Sequence, residues 1–320
     1  MKNKMMKHNY KILTVALVFV AALLPGCSYS QMTVVSDIEE VFDGITAVEI
    51  HGGPLEVTYE GRDLATEVSL NAYLESNKSN GVEITYEVKG DKLLVKWEQS
   101  KGFSGWGNFR NEGFISVTGP KEIELKVNSG SGTAFVSNVN HEEIDLSAGS
   151  GHLKASELNV SKIHLSVGSG KIEGEDLIGD VYCKVSSGEA HLDDVKGNVD
   201  AIGSSGKISL EDISGKVDAK ISSGRIVLDD IGELGELIGS SGSISADNAG
   251  LGGDTDLKFS SGSVHIQTPD NLDNYNFELA ASSGSLRVGN QKTGKSLRID
   301  NNSSKTVRGA VSSGNITIEN

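Results

Sequence analysis

The chain has 320 residues, including 39 Gly, 17 aromatic residues, four Pro and two Cys, and its formal charge at pH 7 is -15. Collagen is excluded because Gly is far from one residue in three and Pro is scarce, and two cysteines cannot make a disulfide scaffold. Apolar residues are as frequent as in ordinary globular chains, so disorder is not expected. Much glycine with few rings predicts a thin structure with many tight turns.

Residues 1–26 have the pattern of a lipoprotein signal peptide. Four lysines precede an uncharged apolar run from Ile12 to Leu24, which is too short for a comfortable membrane span. The ending Leu24-Pro25-Gly26-Cys27 resembles a bacterial lipobox, although Pro25 stands where a small residue is common, and Cys27 is the predicted lipidation site. The alternatives are cleavage without lipidation and an uncleaved anchor. Removing the four lysines would take the charge from -15 to -19, which argues against nucleic acid as a partner.

Two segments are predicted before the regular part of the chain. Residues 27–40 are expected to be a lipidated tether to the membrane. Residues 41–128 contain short alternating segments typical of strands, with Gly90-Asp91 as a hairpin turn. Because ten of the 17 aromatic residues lie in residues 27–128, this region is predicted to be an irregular β cap continuous with the regular part.

A Ser-Gly pair repeats through residues 129–320. Apolar residues stand two and four positions after most of these glycines, and alternation of this kind marks strands with one buried face. The prediction is an all-β fold, a parallel β-solenoid of about ten coils, each with about 18 residues and two strands, stacked about 4.8 Å apart. The repeat glycines, 18 to 22 residues apart except for a last interval of 30, are Gly132, Gly151, Gly170, Gly188, Gly206, Gly224, Gly242, Gly262, Gly284 and Gly314.

The order of these motifs resembles a known family. Phe42-Asp43-Gly44-Ile45 leads into a strand, Gly90-Asp91-Lys92-Leu93 forms a turn and strand, and Ile115-Ser116-Val117-Thr118-Gly119-Pro120 precedes the Ser-Gly repeats. This order resembles the bacterial DUF4097 group, labelled "putative adhesin", and is similar to the head-GIN type of domain. The resemblance covers about residues 41–320 and implies the solenoid fold. It brings no catalytic residues.

Acidic residues recur five and six positions after the repeat glycines. Stacking would place like charges about 4.8 Å apart, at a cost on the order of 1 kcal/mol per neighbouring pair. A calcium ion would relieve this repulsion, since calcium prefers oxygen ligands. The favoured interpretation is that these residues cap turns and keep the rod soluble, because the glycine-rich calcium nonapeptide is absent. No other cofactor is expected. The calcium candidates are Asp176, Asp194, Asp212 and Asp230.

A glycine-rich segment with several rings precedes the last part of the cap. Phe103, Trp106 and Phe109 are binding candidates, since exposed rings can stack on sugars or insert into a protein partner. A glycan or a surface protein would then be the ligand. The favoured alternative is that these rings fold back over the apolar end of the solenoid.

The expected function is that of a lipid-anchored, non-enzymatic module of the cell envelope that binds or adheres. Because Ser28 is not the aspartate that signals inner-membrane retention, the outer membrane or cell surface is the expected location. One alternative is a structural or stress-linked scaffold that forms oligomers through an open C-terminal coil at Ile316 and Ile318. A remote alternative, a polysaccharide-active enzyme, is kept open by Asp270, Asp273 and Arg298.

Overall fold

Nearly all of the regular structure is β-strand. The computed structural model describes residues 31–78, 81–100 and 109–320, and in this part of the chain no helix has the length and apolarity needed to cross a membrane. Residues Thr33–Asn320 form one unit. A short 3-10 helix spans Leu272–Asn274. The strands in the described residues are β1 (Thr33–Asp43), β2 (Ala47–Gly53), β3 (Glu56–Arg62), β4 (Glu67–Ser76), β5 (Val82–Lys89), β6 (Lys92–Gln99), β7 (Asn111–Pro120), β8 (Glu124–Ser129), β9 (Thr133–Ala148), β10 (His152–Val167), β11 (Lys171–Val185), β12 (Glu189–Lys196), β13 (Val199–Gln267), β14 (Asn276–Val288), β15 (Gln291–Thr293), β16 (Ser296–Ile299) and β17 (Thr306–Glu319).

The long strands run parallel and in register. Leu153 of β10 pairs with Ala134 of β9 on one side and with Ile172 of β11 on the other, an offset of 19 residues. Further along, Ala190 of β12 pairs with Ile208 of β13, an offset of 18 residues. Each coil therefore stacks on the one before it, and the fold is β-solenoid-like with a sheet that is not closed. The total of about ten coils stays a prediction.

Each coil turns a corner at a residue in the left-handed backbone conformation. Seven residues six positions after a repeat glycine have φ between 48° and 55°. Asn and Asp tolerate this conformation better than other residues with side chains, because their short polar groups hydrogen-bond locally. The corner column therefore favours these residue types for backbone reasons. Its members are Asn138, Glu157, Asp176, Asp194, Asp212, Asp230 and Asn248.

The repeat glycines are required by close approach between coils. A Cβ atom on Gly206 would overlap the carbonyl oxygen of Gly188, and one on Gly188 would overlap that of Gly170. Gly206 also has φ of 137°, which residues with side chains rarely adopt. The same overlap with the neighbouring coil recurs along the whole glycine column, so the backbones lie too close there for any side chain.

One continuous core runs between the two halves of the coils. Buried apolar residues form a single cluster that extends from Ile45 to Ile318. Ala201 and Ala219 are fully buried, which shows that the central coils use small inward residues. The largest fully buried rings are Tyr59 and Phe277, which belong to the two ends of the stack. Few rings are therefore needed in the regular coils.

The N-terminal cap region joins the solenoid directly. β3 pairs in parallel with β7 and β9, while β2 pairs in parallel with β6 and β8. Antiparallel strands complete this end, because β4 pairs with both β1 and β7 and β5 pairs with β6. The predicted tether over residues 27–40 does not extend through its last eight residues, which belong to β1. Ile38 and Phe42 explain this difference, since they are partly buried and pack against the core.

The C-terminal strand is not an open end, and that prediction was wrong. β17 lies between the last coil of β13 and β14, so Ile316 pairs with Val264 on one side and with Leu286 on the other. Ile316 and Ile318 are fully buried as a result. The outer edge of β14 is covered instead by β15 and β16, which pair with it in the antiparallel direction.

Candidate binding groove

An open groove of about 430 Å³ lies on the outward surface of the first half-coils. Its position follows from strand alternation, since Ala134 and Val136 are buried and Phe135 between them must point outward. Side chains from β9 to β12 surround it. The outward residues lining the groove are Phe135, Ser137, Lys154, Ser156, Glu173, Glu175, His191 and Asp193.

A ring and an ammonium group form one side of the groove. The Nζ atom of Lys154 lies 5.6 Å from the centroid of the Phe135 ring. The same ammonium lies 3.2 Å from a carboxylate oxygen of Glu173. This cation–π contact favours an orientation in which the face of the Phe135 ring lies beside the ammonium group.

Several nitrogen-bearing side chains lie around the carboxylate of Glu173. It accepts a hydrogen bond from Lys171 and pairs with Lys154, and Nε2 of His152 lies 3.0 Å from its carboxylate. The His152 contact does not satisfy the geometry of a hydrogen bond, and its Nε2 atom has no hydrogen-bond partner within the described structure. The hydrogen bond from Lys171, followed by that from Lys154, lowers the pKa of Glu173 to about 2.

The opposite end of the groove is negatively charged. His191, Asp193 and Glu211 bring their nitrogen and oxygen atoms within 4.8 Å of one another. Sequence reasoning missed this group, because the metal candidates taken from the sequence were Asp176, Asp194, Asp212 and Asp230 alone. The sequence does contain a signal for it. His191 and Asp193 stand three and five positions after Gly188, and Glu211 stands five positions after the next repeat glycine, Gly206.

The four predicted calcium residues occupy the corner column. Asp176, Asp194, Asp212 and Asp230 all have left-handed backbone, which accounts for them without a cation. Asp230 accepts a hydrogen bond from the side chain of Asn248, and Asp194 lies 3.5 Å from Lys196. Partial desolvation, followed by repulsion from Asp230 and other nearby carboxylates, raises the pKa of Asp212. Turn capping was the favoured interpretation of these residues, and calcium binding by them stays an untested alternative.

The remaining predicted site residues fall in two groups. Cys27, Phe103 and Trp106 lie outside the described residues. Phe109 is partly buried and packs against the hydrophobic core. This contact is the one expected of a cap residue.

The residues that would support an enzyme have separate partners. Asp270 accepts hydrogen bonds from the backbone nitrogen of Leu251 at 2.7 Å and from the Tyr275 hydroxyl at 2.9 Å. Asp273 donates its backbone N–H to Asn271 in the short 3-10 helix. Arg298 lies 3.8 Å from Glu278. These contacts show that each of the three residues has a role in the local structure near the C-terminal end of the chain.

These strand pairings define an all-β protein of the β-solenoid-like class. Residues 177–319 match the family described as Toastrack DUF4097. This match confirms the family predicted from the order of turns and repeats, over the residues that it covers. No curated protein matches the sequence.

Several solved structures are similar to the chain at low identity. A "putative lipid binding protein" from Parabacteroides distasonis is 16% identical with a TM-score of 0.47, and the match covers 90% of this chain and 96% of that one. A "putative adhesin" from Bacteroides fragilis is 13% identical with a TM-score of 0.38, covering 90% and 97% of the two chains. A "putative cell adhesion protein" from Clostridium sporogenes is 14% identical with a TM-score of 0.23, covering 89% and 99%.

Proposed function

We propose that this protein is a lipid-anchored, non-enzymatic module of the cell envelope that binds a glycan in the groove beside Phe135. The groove carries this proposal, because it combines a partly exposed ring with an ammonium group and several carboxylates on rigid, stacked strands. Rings stack on the apolar faces of sugars, while charged side chains can bind their hydroxyl groups. Strand-borne side chains keep their positions better than loop residues do.

Binding to the groove can be tested with immobilised glycans and with the Phe135→Ala variant. Loss of the ring should weaken saturable binding by about tenfold, which corresponds to about 1.4 kcal/mol. Tyr182→Ala is the matched control, since Tyr182 is 43% exposed and stacks on His164 elsewhere on the coils. Both variants should melt close to the wild type.

Three results would argue against the groove as the binding site. Saturable binding that survives Phe135→Ala would place the ligand elsewhere. Binding that is lost only with Trp106→Ser would assign it to the glycine-rich loop. If no glycan binds saturably and a surface protein does, the ligand is a protein rather than a glycan.

The lipid anchor and the envelope location need their own experiments. Labelling with a fatty-acid analogue should mark the wild type and fail with Cys27→Ser, since the cysteine would be the acylated residue. Protease treatment of intact cells should degrade a surface-displayed protein. Full protection would exclude adhesion to an external ligand and leave only a role inside the envelope.

The non-enzymatic part of the proposal is tested with the ligand itself. Incubation of the bound glycan with excess protein should produce no new reducing ends and no unsaturated sugars. Release of either product, abolished by Asp270→Asn, would instead favour the polysaccharide-active alternative.

A further inference from the structure

A histidine and two carboxylates meet where the groove reaches the next coil. His191 and Asp193 project from the same face of β12, and strand pairing aligns Asp193 with Glu211 and His191 with Ser209. Because Ser209 is short, little volume is taken up beside the imidazole ring. The nitrogen and oxygen atoms of His191, Asp193 and Glu211 all lie within 4.8 Å of one another.

These carboxylates lack the cations that neutralise the adjacent coil. Glu173 pairs with the ammonium groups of Lys171 and Lys154. By contrast, among the residues described by the structure no ion pair joins a lysine or arginine to Asp193 or Glu211, and Lys196, at the end of β12, lies 3.5 Å from Asp194. A bound cation would supply the missing positive charge.

We propose that His191, Asp193 and Glu211 bind one divalent transition-metal ion, of which zinc is the best chemical fit. An imidazole nitrogen combined with carboxylate oxygens suits zinc or manganese, whereas calcium takes oxygen ligands. Tetrahedral zinc with bonds of about 2.0–2.1 Å places its ligand atoms about 3.3 Å apart. The three side chains are only partly buried or exposed, so small rotations bring them to that distance.

Three protein ligands leave at least one position of the ion open. His191 and Asp193 also line the groove, so that position faces the groove rather than the core. The ion would be exchangeable and would not hold the fold together, unlike a closed structural zinc. This metal site does not depend on the proposed function, because the three ligands are present whether or not the groove binds a glycan.

Calorimetry on the chelator-treated protein tests the proposal with zinc chloride, manganese chloride and calcium chloride as separate probes. We expect one equivalent of zinc to bind, and His191→Gln to weaken the affinity at least tenfold. The melting temperature of metal-free His191→Gln should match that of the wild type. His265→Gln is the matched control, since His265 stands at the corresponding position of a later coil, 3.8 Å from Glu319, and should leave zinc binding unchanged.

Cobalt substitution gives a second readout that a merely structural role would not change. Visible absorption bands of bound Co²⁺ should appear in the wild type and in His265→Gln, and should disappear or shift in His191→Gln. The proposal is overturned if neither zinc nor manganese binds, if His191→Gln binds as tightly as the wild type, or if calcium binds alone.

Discussion

The repeat glycines are fixed by contact between backbones as much as by dihedral angles. At Gly206 a side chain would meet the carbonyl of Gly188, and its φ of 137° lies outside the range of other residues. We therefore expect Gly206→Ala to destabilise the protein by about 3 kcal/mol, through backbone strain and displacement of the neighbouring coil. The midpoint of chemical unfolding measures this change.

Gly90→Ala gives the cost of an ordinary left-handed backbone at a site without close approach. Gly90 also has a positive φ, of 66°, but a Cβ there would have nothing within 4 Å. Its replacement should cost only about 1 kcal/mol, the penalty for left-handed backbone alone. Equal losses at both glycines would mean that the close approach between coils contributes nothing.

Glu173 should make stability depend on acidity in a defined range. The pKa of its carboxyl falls from 4.5 to about 2 in the folded protein, chiefly through the hydrogen bond from Lys171. Because the folded-state pKa is the lower one, the stabilisation is complete above pH 4.5 and fades as the pH falls toward 2. Glu173→Gln should therefore melt below the wild type at pH 7, and this difference should narrow over that range.

Thermal melts of both proteins at several pH values provide the measurement. A difference between Glu173→Gln and the wild type that stays constant from pH 7 to pH 2 would contradict the assigned ion pairs.

The insertion of β17 is the main departure from chain order among the elements. Asn315 pairs with Ser263 on one side and with Ser285 on the other, whereas sequential stacking would have paired Ser263 with Ser285. Neighbouring parallel strands lie about 4.8 Å apart, within the range of a disulfide, and alternate strands do not. Paired cysteines therefore report the strand order.

Oxidative cross-linking should succeed in two double variants and fail in a third. We expect a disulfide with Ser263→Cys plus Asn315→Cys, and with Ser285→Cys plus Asn315→Cys. Ser263→Cys plus Ser285→Cys should stay reduced, as shown by mass spectrometry after alkylation. Cross-linking of this third pair alone would mean that the coils stack in sequence order, with β14 directly beside β13.

The regular coils could be predicted because parallel stacking repeats each side chain at a fixed offset. The inward positions of Ile208, Leu210 and Ile213 follow from the spacing alone and all three are buried. The position of β17 could not be predicted, because Gly314 with Ile316 and Ile318 has the same pattern as any internal coil. The His191 cluster also escaped prediction, since it depends on lateral neighbours from two coils rather than on one column.

At the scale of the whole molecule, stability should be highest in the middle of the stack. Each central coil contacts a coil on both sides, whereas β1 and β5 lie at sheet edges and β15 has three residues. In solenoids stability is roughly a sum of coil terms and neighbour interfaces. Hydrogen exchange should therefore be slowest in residues 163–228 and fastest in β1, β5 and β15.

Exchange measured by mass spectrometry on the intact protein tests this gradient. β17 is the informative exception, because it is late in the sequence but has neighbours on both sides. Its exchange should resemble that of the last coil of β13. Exchange of β17 as fast as that of β1 would contradict its internal position, and uniform protection would indicate all-or-none unfolding.

The internal place of β17 also has a consequence for the order of folding during synthesis. Earlier coils can dock one after another as the chain emerges, because each needs only residues already made. Residues Asp256–Gln267 of β13 pair with β17, so this pairing must wait until residues 306–319 have been synthesised. β14 also pairs with β17 and can take its final position only then. Completion of this end is therefore a late, non-local step, in which the chain must return over the 30 residues that separate Gly284 from Gly314.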